Sequence, residues 1–306
     1  MFFNKYRRSN NRLSEQSCLS ESEISALQNK AKYSPIYFSE TTKTSAENMA
    51  GDLQSRIRGA GVDFEENKPY QSSSDSRHIN WRTYARTRQL YVNIYNEDKR
   101  PSTYIILDQR EKMYFGTRQQ LKIKQALKFA VYSIFRAMHQ QQNVSGVQIL
   151  EKPLWHMNYS GSSSLLSFIQ AINTPLHHQQ STNNEPALND VLNKLRLTDG
   201  TELIIISDFH DINDESITRL YNISRKFKVQ LIQIQDPVEI QLPQKGIFDI
   251  QNNIDSNPVS MNCNDKILVS TYKKILQDKF SQYHIQLQNM NISFRPYLTT
   301  DKVFSD

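Results

Sequence analysis

The chain has 306 residues, of which 37 are Lys or Arg and 31 are Asp or Glu, giving a formal net charge of +6. This length predicts one large domain, or a domain with appendages, that can bury a sizeable core. Two cysteines, Cys18 and Cys263, are too few for a disulfide framework, which excludes the disulfide-rich secreted class. No apolar run reaches the roughly 20 residues of a membrane helix, and the first residues lack a signal peptide's apolar stretch. We therefore expect a cytoplasmic protein without a membrane span, whose modest positive charge permits anionic partners without requiring them.

Residues 1–102 lack the regular alternation of strands and helices found further along the chain. Residues 1–45 are rich in Ser, Asn and charge, with one weak amphipathic stretch at Glu21–Ala31, and predict a mobile or loosely docked extension. Residues 46–102 hold an alternating segment at Tyr91–Tyr95 and a loop-like segment at Ala60–Pro69. They predict a small β-rich subdomain that packs on the edge of a larger domain.

Residues 103–306 alternate between short apolar runs and amphipathic stretches with helical spacing. The predicted strands are Tyr104–Leu107, Val144–Leu150, Leu203–Ser207, Val229–Ile234 and Ile292–Phe294, and the predicted helices are Gln119–Gln142, Ser162–Ile172, Asn184–Leu195, Asp214–Phe227 and Lys266–Gln288. Such alternation is typical of right-handed crossovers between parallel strands. The sequence therefore predicts a doubly wound α/β domain with a mostly parallel sheet covered on both faces.

Two aspartates directly follow predicted strands of this domain. Asp108 follows Tyr104–Leu107, and Asp208 follows Leu203–Ser207. In a doubly wound sheet, ligands bind beyond the carboxyl ends of the strands, near the point where the strand order reverses. If these are the first and fourth strands, the two carboxylates face one crevice. The alternative is that each aspartate only caps the helix that follows it.

Several stretches resemble a known bacterial family. Asp108-Gln-Arg-Glu-Lys-Met-Tyr-Phe-Gly116 looks like the first-strand loop of a von Willebrand factor A-type domain. The run from Pro69 to Trp81, followed by Ala85-Arg86, is similar to the Tyr-x-x-Gly-Asp-Asp-x-Arg-x-Ile-Asp-Trp…Ala-Arg block of the "domain of unknown function 58" family. Ile206–Phe209 and Asp236–Glu239 match later motifs of that family in order. The resemblance implies a von Willebrand factor A-like fold over about residues 56–300, and a partner of the MoxR type of AAA+ ATPase.

The metal-site loop departs from the pattern of A-type domains, in which Asp-x-Ser-x-Ser, a threonine and a later aspartate hold Mg²⁺ or Mn²⁺. Here the loop has Asp108, Arg110 and Lys112, while Thr182 and Asp208 correspond to the threonine and the later aspartate. Hard cations prefer oxygen ligands, whereas protonated Arg and Lys only donate hydrogen bonds. We therefore expect no bound metal and no cofactor, with Arg110 or Lys112 bridging Asp108 and Asp208 in its place. The alternative is that both cations point to solvent and the crevice is vestigial.

The upstream block keeps an aspartate, arginines and a tryptophan although it departs from the family at other positions. Asp75, Arg77, Trp81 and Arg86 predict an internal ion-pair and hydrogen-bond cluster with the tryptophan as its apolar anchor. The same stretch, residues 77–88, is basic and aromatic, which is also typical of a nucleic-acid surface. Its acidic neighbours Glu97 and Asp98 argue against that alternative.

No phosphate-binding glycine loop, nucleophile elbow or zinc-ligand spacing is present in the sequence. We therefore expect a non-enzymatic adaptor that acts by protein–protein contact, through the crevice formed by Asp108, Arg110, Lys112, Thr182 and Asp208. By resemblance, its partners are a MoxR-type AAA+ ATPase and a client protein or complex that the pair matures. The alternatives are a nucleic-acid-binding protein that uses residues 77–88 and a structural module that has lost its switch.

Overall fold

The computed structural model describes residues 2–3, 17–33, 64–69, 79–95, 101–174, 187–242, 246–251, 259–290 and 292–304. The chain divides into two compact units, one formed by Met1–Ser39 with Pro101–Asp306 and the other by Glu40–Arg100. We refer to them as the α/β unit and the small unit. Among the described residues, no helix is both long and apolar enough to cross a bilayer.

The strands and helices of the chain mostly alternate within the α/β unit. They are β1 (Phe2–Phe3), α1 (Glu21–Tyr33), β2 (Phe64–Pro69), α2 (Trp81–Thr87), β3 (Tyr91–Tyr95), β4 (Ser102–Asp108), a 3₁₀ turn (Glu111–Tyr114), α3 (Lys122–His139), β5 (Asn143–Ile149), β6 (Leu154–Tyr159), α4 (Ser162–Ile172), α5 (Leu188–Lys194), β7 (Thr201–Ser207), α6 (Asp214–Ser224), β8 (Lys228–Gln235), α7 (Pro237–Ile240), β9 (Ile247–Gln251), β10 (Val259–Asn262), α8 (Lys266–Asn289) and β11 (Ser293–Leu298).

The centre of the α/β unit is a six-stranded sheet with the order β11-β8-β7-β4-β5-β6. All its neighbouring strands are parallel except β5 and β6, which are antiparallel. Counted from β4 as the first strand, this is the doubly wound order 3-2-1-4-5-6, which reverses between β4 and β7. The predicted α/β architecture with a mostly parallel sheet flanked by helices is confirmed.

Side chains of the central strands alternate between two buried faces. Ile105 and Leu107 of β4 pack with α3 and α4 on one face, whereas Tyr104 and Ile106 pack with α5 and α6 on the other. Each fully buried aliphatic side chain contributes about 1.5–3 kcal/mol. Helices therefore cover both faces of the sheet.

The amino-terminal helix α1 packs on the core of the α/β unit. Leu27 and Ala31 are buried in the core cluster that contains α3. Just before the helix, Leu19 exchanges two hydrogen bonds with the side chain of Asn173, at 2.8 and 3.0 Å. Residues 17–33 therefore pack on the α/β core, on a surface made by segments that are distant in the sequence. The rest of the predicted extension over residues 1–45 lies outside the described residues apart from 2–3.

The small unit has a two-stranded antiparallel sheet, β2 with β3, and the helix α2 between them. The strand predicted at Tyr91–Tyr95 has those bounds. Phe64–Pro69 is a strand rather than the predicted loop, because its pairing with β3 satisfies backbone groups that local sequence leaves open. The predicted boundary of 46–102 differs by a few residues from the observed Glu40–Arg100.

Candidate functional site

Three neighbouring strands of the large sheet bring carboxylates to the same edge. β4 ends at Asp108, Asp208 follows β7, and Asp236 follows β8. The pairing of Leu107 with Ile206 fixes the register of β4 and β7, so the first two carboxylates lie at the point where the strand order reverses. This carboxyl-end crevice is therefore where the fold favours a binding site.

Arg110 joins two carboxylates at this edge, Asp108 and Asp211. Its Nε and Nη2 donate to Oδ1 and Oδ2 of Asp108 at 3.0 and 2.6 Å. Its Nη1 and Nη2 donate to Oδ2 and Oδ1 of Asp211 at 2.6 and 3.2 Å. Ser207 adds a hydroxyl donor to Asp108 Oδ2 at 2.6 Å, and the backbone N–H of Leu188 donates to Asp211 Oδ2 at 2.9 Å. This Arg110 cluster ties the loops after β4 and β7 to the start of α5.

The charges of the Arg110 cluster reinforce one another. Burial acts to lower the pKa of Arg110, but Asp108 and Asp211 outweigh it and raise that pKa. Burial likewise acts to raise the pKa of Asp211, but its hydrogen bonds and attraction to Arg110 lower it. A planar, charged guanidinium that donates to two carboxylates joins Asp108 and Asp211 in a fixed geometry.

A second cation, Lys122, joins Asp208 to Glu239. Lys122 Nζ donates to Asp208 Oδ2 at 2.9 Å and to Glu239 Oε1 at 2.7 Å, and its side chain is only 1% exposed. His210 lies at the outer side, with Nε2 3.4 Å from Glu239 Oε1 and its backbone N–H donating to Asp208 Oδ1 at 3.2 Å. We call these four residues the Lys122 cluster.

Pairing decides the ionisation of the Lys122 cluster. Burial acts to lower the pKa of Lys122, but Asp208 and Glu239 outweigh it and raise that pKa. Burial also acts to raise the pKa of Asp208 and of Glu239, yet Lys122 and His210 lower the pKa of both. An ammonium between two carboxylates in a buried place is stable only because all three groups are paired.

The third strand-end carboxylate, Asp236, is held by neutral donors. It accepts from the backbone N–H of Thr117 at 2.8 Å, from the Thr117 hydroxyl, from the backbone N–H of Val238 at 3.0 Å and from Thr299 Oγ1 at 3.2 Å. The preceding Gly116 allows this turn, because a Cβ there would lie 2.4 Å from the carbonyl oxygen of Gln120. Asp236 therefore anchors the loop between β4 and α3.

The predicted site residues are only partly brought together. Asp108, Arg110 and Asp208 all lie at the carboxyl-end crevice, but Arg110 bridges Asp108 to Asp211 and not to Asp208 as predicted. The physical reason is that Asp208 is already taken by Lys122 from the start of α3. Lys112 lies partly exposed in the 3₁₀ turn. Thr182 lies outside the described residues.

The upstream motif cluster is also only partly described. Asp75 and Arg77 lie outside the described residues. Trp81 and Arg86 are both on α2, where Trp81 is 65% exposed and Arg86 is exposed too. The structure thus shows Trp81 exposed on α2, while the predicted cluster with Asp75 and Arg77 stays a prediction.

Sequence reasoning missed Lys122, Asp211 and Glu239. Lys122 precedes buried Ala126 and Phe129 by four and seven residues, so helical spacing places it on the apolar side of α3. Asp211 comes three residues after a predicted site aspartate. Glu239 completes a capping box with Asp236 at the start of α7. In this box the backbone N–H of Asp236 donates to Glu239 Oε2 at 2.8 Å. These signals exist in the sequence, but none of them identifies the partner of each charge.

The residues present do not fit the divalent metal that the resemblance to A-type domains implies. Both carboxylate oxygens of Asp108 and both of Asp208 accept hydrogen bonds within the protein. The groups facing them include a guanidinium and an ammonium, which cannot donate electron pairs to a metal. Among the described side chains, no group of three or more His, Cys, Asp or Glu is arranged to hold a metal ion.

We expect isothermal titration of the wild-type chain with MgCl₂ or MnCl₂ to show no micromolar binding, because internal cations occupy the carboxylates. The informative variants are Asp108→Ala, within the Arg110 cluster, and Asp214→Ala, an exposed carboxylate at the start of α6. Micromolar binding that Asp108→Ala abolishes and Asp214→Ala retains would contradict this reading of the crevice.

The solved structures that are similar to the chain include the conserved hypothetical protein BatB from Bacteroides thetaiotaomicron and an aerotolerance-related membrane protein from Bacteroides fragilis NCTC 9343 that carries multiple mutations to serines. Both are 14% identical to the chain, and each match covers 62% of this chain. The matches cover 99% and 98% of the two solved chains, with TM-scores of 0.37 and 0.35. At these values neither likeness carries a functional argument.

No curated protein matches the chain. One family model does match, that of "Protein of unknown function DUF58", over residues 66–281, which is more than half of the chain. The matched region includes β4 and β7 and therefore both the Arg110 cluster and the Lys122 cluster. The chain thus belongs to the DUF58 family.

Proposed function

We propose that this chain is a non-enzymatic adaptor, built on a von Willebrand factor A-like domain, that acts by protein–protein contact. One observation carries the proposal: the crevice where a doubly wound sheet binds its ligands is filled by two internal cation–carboxylate clusters. Arg110 forms an ion pair with Asp108, and Lys122 forms one with Asp208. These ion pairs occupy the carboxylates that a metal or a substrate would otherwise bind. Binding at this edge then depends on the charged and apolar surface around the crevice.

The placement of Asp108 and Asp208 supports the A-type reading. Asp108 ends the first strand of the sheet and Asp208 directly follows the fourth, and these two strands are neighbours. This is the arrangement in which the resemblance would place the first-loop aspartate and the later aspartate of a metal site. With cations in the metal's place, the loops after β4 and β7 are held in one arrangement that does not depend on divalent ions.

The proposed partner is a MoxR-type AAA+ ATPase in the cytoplasm, with an unidentified client protein that the pair matures or remodels. This partnership comes from the resemblance of the Pro69–Trp81 block, and it is consistent with a chain that leaves ATP hydrolysis to its partner. Partly exposed Lys112, beside the Arg110 cluster, is the crevice charge best placed to meet an acidic partner. Such charge pairing tunes encounter and specificity more than affinity.

The test is a tagged pull-down from the native host, with and without a non-hydrolysable ATP analogue. We expect recovery of an AAA+ ATPase to depend on the nucleotide and to fall about tenfold in Lys112→Glu, because the reversed charge repels an acidic partner surface. Lys112 is the better target because charge reversal at Arg110 would also break the buried cluster. Lys194→Glu, on the exposed end of α5, is the matched control.

Three results would count against the proposal. Recovery of no ATPase would remove the partner, and recovery of nucleic acid would favour the alternative function. Equal recovery by wild type and Lys112→Glu would indicate that the crevice is vestigial. Thermal unfolding of both variants should match that of wild type, since surface substitutions usually change stability by less than about 0.5 kcal/mol.

A further inference from the structure

The helix of the small unit, α2, exposes its large side chains. None of its seven residues is buried. Trp81 is 65% exposed and Tyr84 is 41% exposed. Scattered exposed apolar residues are common, but two large aromatic rings side by side on one helix are a feature of contact surfaces.

The charges of this segment have a single sign. Residues 79–95, all described, contain Arg82, Arg86 and Arg88 and no Asp or Glu. The three arginines are exposed and lie within seven residues of the two rings. The formal charges of the segment that carries the aromatic pair are therefore all positive.

Local hydrogen bonds order this helix although it buries nothing. Asn80 caps its amino end by accepting from the backbone N–H of Thr83 at 2.9 Å, and the N–H of Arg88 closes the other end on the carbonyl of Tyr84 at 2.8 Å. The backbone N–H of Asn80 also donates to the carbonyl of Tyr91 in β3 at 2.8 Å. A helix this short is marginal alone, so the caps and β3 preorganise it.

The ring geometry favours a protein partner over a nucleic acid. The centroids of Trp81 and Tyr84 are 6.2 Å apart with planes at 89°, so the rings do not form two parallel platforms for successive bases. The helix is about 10 Å long, short for an electrostatic track along a nucleic-acid backbone. Trp, Tyr and Arg are instead the residues most enriched at the energetic centres of protein interfaces.

We propose that Trp81 and Tyr84, together with Arg82, Arg86 and Arg88 of the same segment, form a docking site for an acidic segment of the ATPase partner proposed above. The segment would place an apolar side chain against the rings and carboxylates against the arginines. Preorganisation by the caps lowers the ordering cost of binding. This inference rests on the proposed protein-binding function, but it places a contact on the small unit rather than at the crevice.

The fluorescence of Trp81 provides the test. The chain has two tryptophans, and Trp155→Phe leaves Trp81 as the only reporter. The probes are a synthetic Glu–Leu peptide, a Gln–Leu peptide of equal length, a dT oligonucleotide and anionic lipid vesicles. We expect a saturable blue shift with the Glu–Leu peptide that weakens with added salt. The combined Arg82→Glu, Arg86→Glu and Arg88→Glu substitutions should weaken this binding at least tenfold, whereas Lys194→Glu should leave it unchanged.

Several results would overturn the docking site. They are no response to the Glu–Leu peptide, an equal response to the Gln–Leu peptide, or a stronger response to the oligonucleotide or the vesicles. A Trp81→Ala variant in the pull-down separates this inference from the proposed function. ATPase recovery that Trp81→Ala leaves intact would overturn the docking site alone, whereas peptide binding without any ATPase recovery would support the site and overturn the partner.

Discussion

Replacing Lys122 by methionine is expected to lower the free energy of unfolding by about 3–5 kcal/mol, the range measured when one partner of a buried ion pair is removed. The variant keeps the length and apolar stem of the side chain. It leaves Asp208 and Glu239 buried without the ammonium that lies 2.9 and 2.7 Å from them. Urea-induced unfolding at neutral pH measures the change.

Lys124→Met is the matched control on the same helix. Lys124 pairs with Glu23 at 3.1 Å, but its side chain is 20% exposed and its partner is 30% exposed. Pairs in contact with water contribute only about 0–1 kcal/mol. Equal losses in Lys122→Met and Lys124→Met would contradict a special role for the buried cluster.

The pH dependence of the Lys122 variant gives a second readout. In the wild type the pKa of both Asp208 and Glu239 is lowered, because Lys122 and His210 outweigh the effect of burial. Their contribution to stability is therefore present above the unfolded-state pKa values of about 4 and is lost as the pH falls through the folded values. Without Lys122, burial raises the pKa values of Asp208 and Glu239. The free energy of unfolding of the variant therefore approaches that of wild type as the pH falls from neutral towards about 4. A stability difference that stays constant from neutral pH to about pH 4 would contradict the assignment.

Replacing Arg110 by methionine is expected to cost about 2–4 kcal/mol, somewhat below the range for a fully buried pair. The expected loss is smaller than for a fully buried pair because the side chain of Asp211 is 24% exposed, whereas that of Asp108 is buried. The loss should free the loop after β7 from the loop after β4. Hydrogen exchange of the Leu188 amide, which donates to Asp211, should therefore quicken more than global unfolding predicts.

Two further variants show whether the geometry of Arg110 matters or only its charge. Arg110→Lys keeps the charge but cannot make the forked contacts to Asp108 and Asp211, so its loss should be intermediate. Lys112→Met, two residues along the chain, should change stability by less than about 0.5 kcal/mol. A free energy of unfolding of Arg110→Met equal to that of wild type would mean that the Arg110 bridge does not contribute to stability.

The strands and helices that the sequence predicts best are those with strong local patterns. α4 has the predicted bounds Ser162–Ile172, and β7 contains the predicted run Leu203–Ser207. The strand β6 was not predicted because it lies at the sheet edge, and Asn158 within it has a positive φ of 57°, as in a turn. Its pairing with β5, which includes a register shift, compensates for the weak local pattern.

The sequence by itself determined the α/β class and the two aspartates at strand ends, because apolar periodicity and strand-end position are local properties. Only the tertiary structure decided which cation meets which carboxylate. Lys122 reaches Asp208 across 86 residues of chain and Glu239 across 117, and Arg110 reaches Asp211 across 101. The order of the strands sets these meetings, and no spacing in the sequence encodes that order. For the same reason, the sequence shows the aromatic and basic residues of α2, but only the folded chain shows that Trp81 is left exposed.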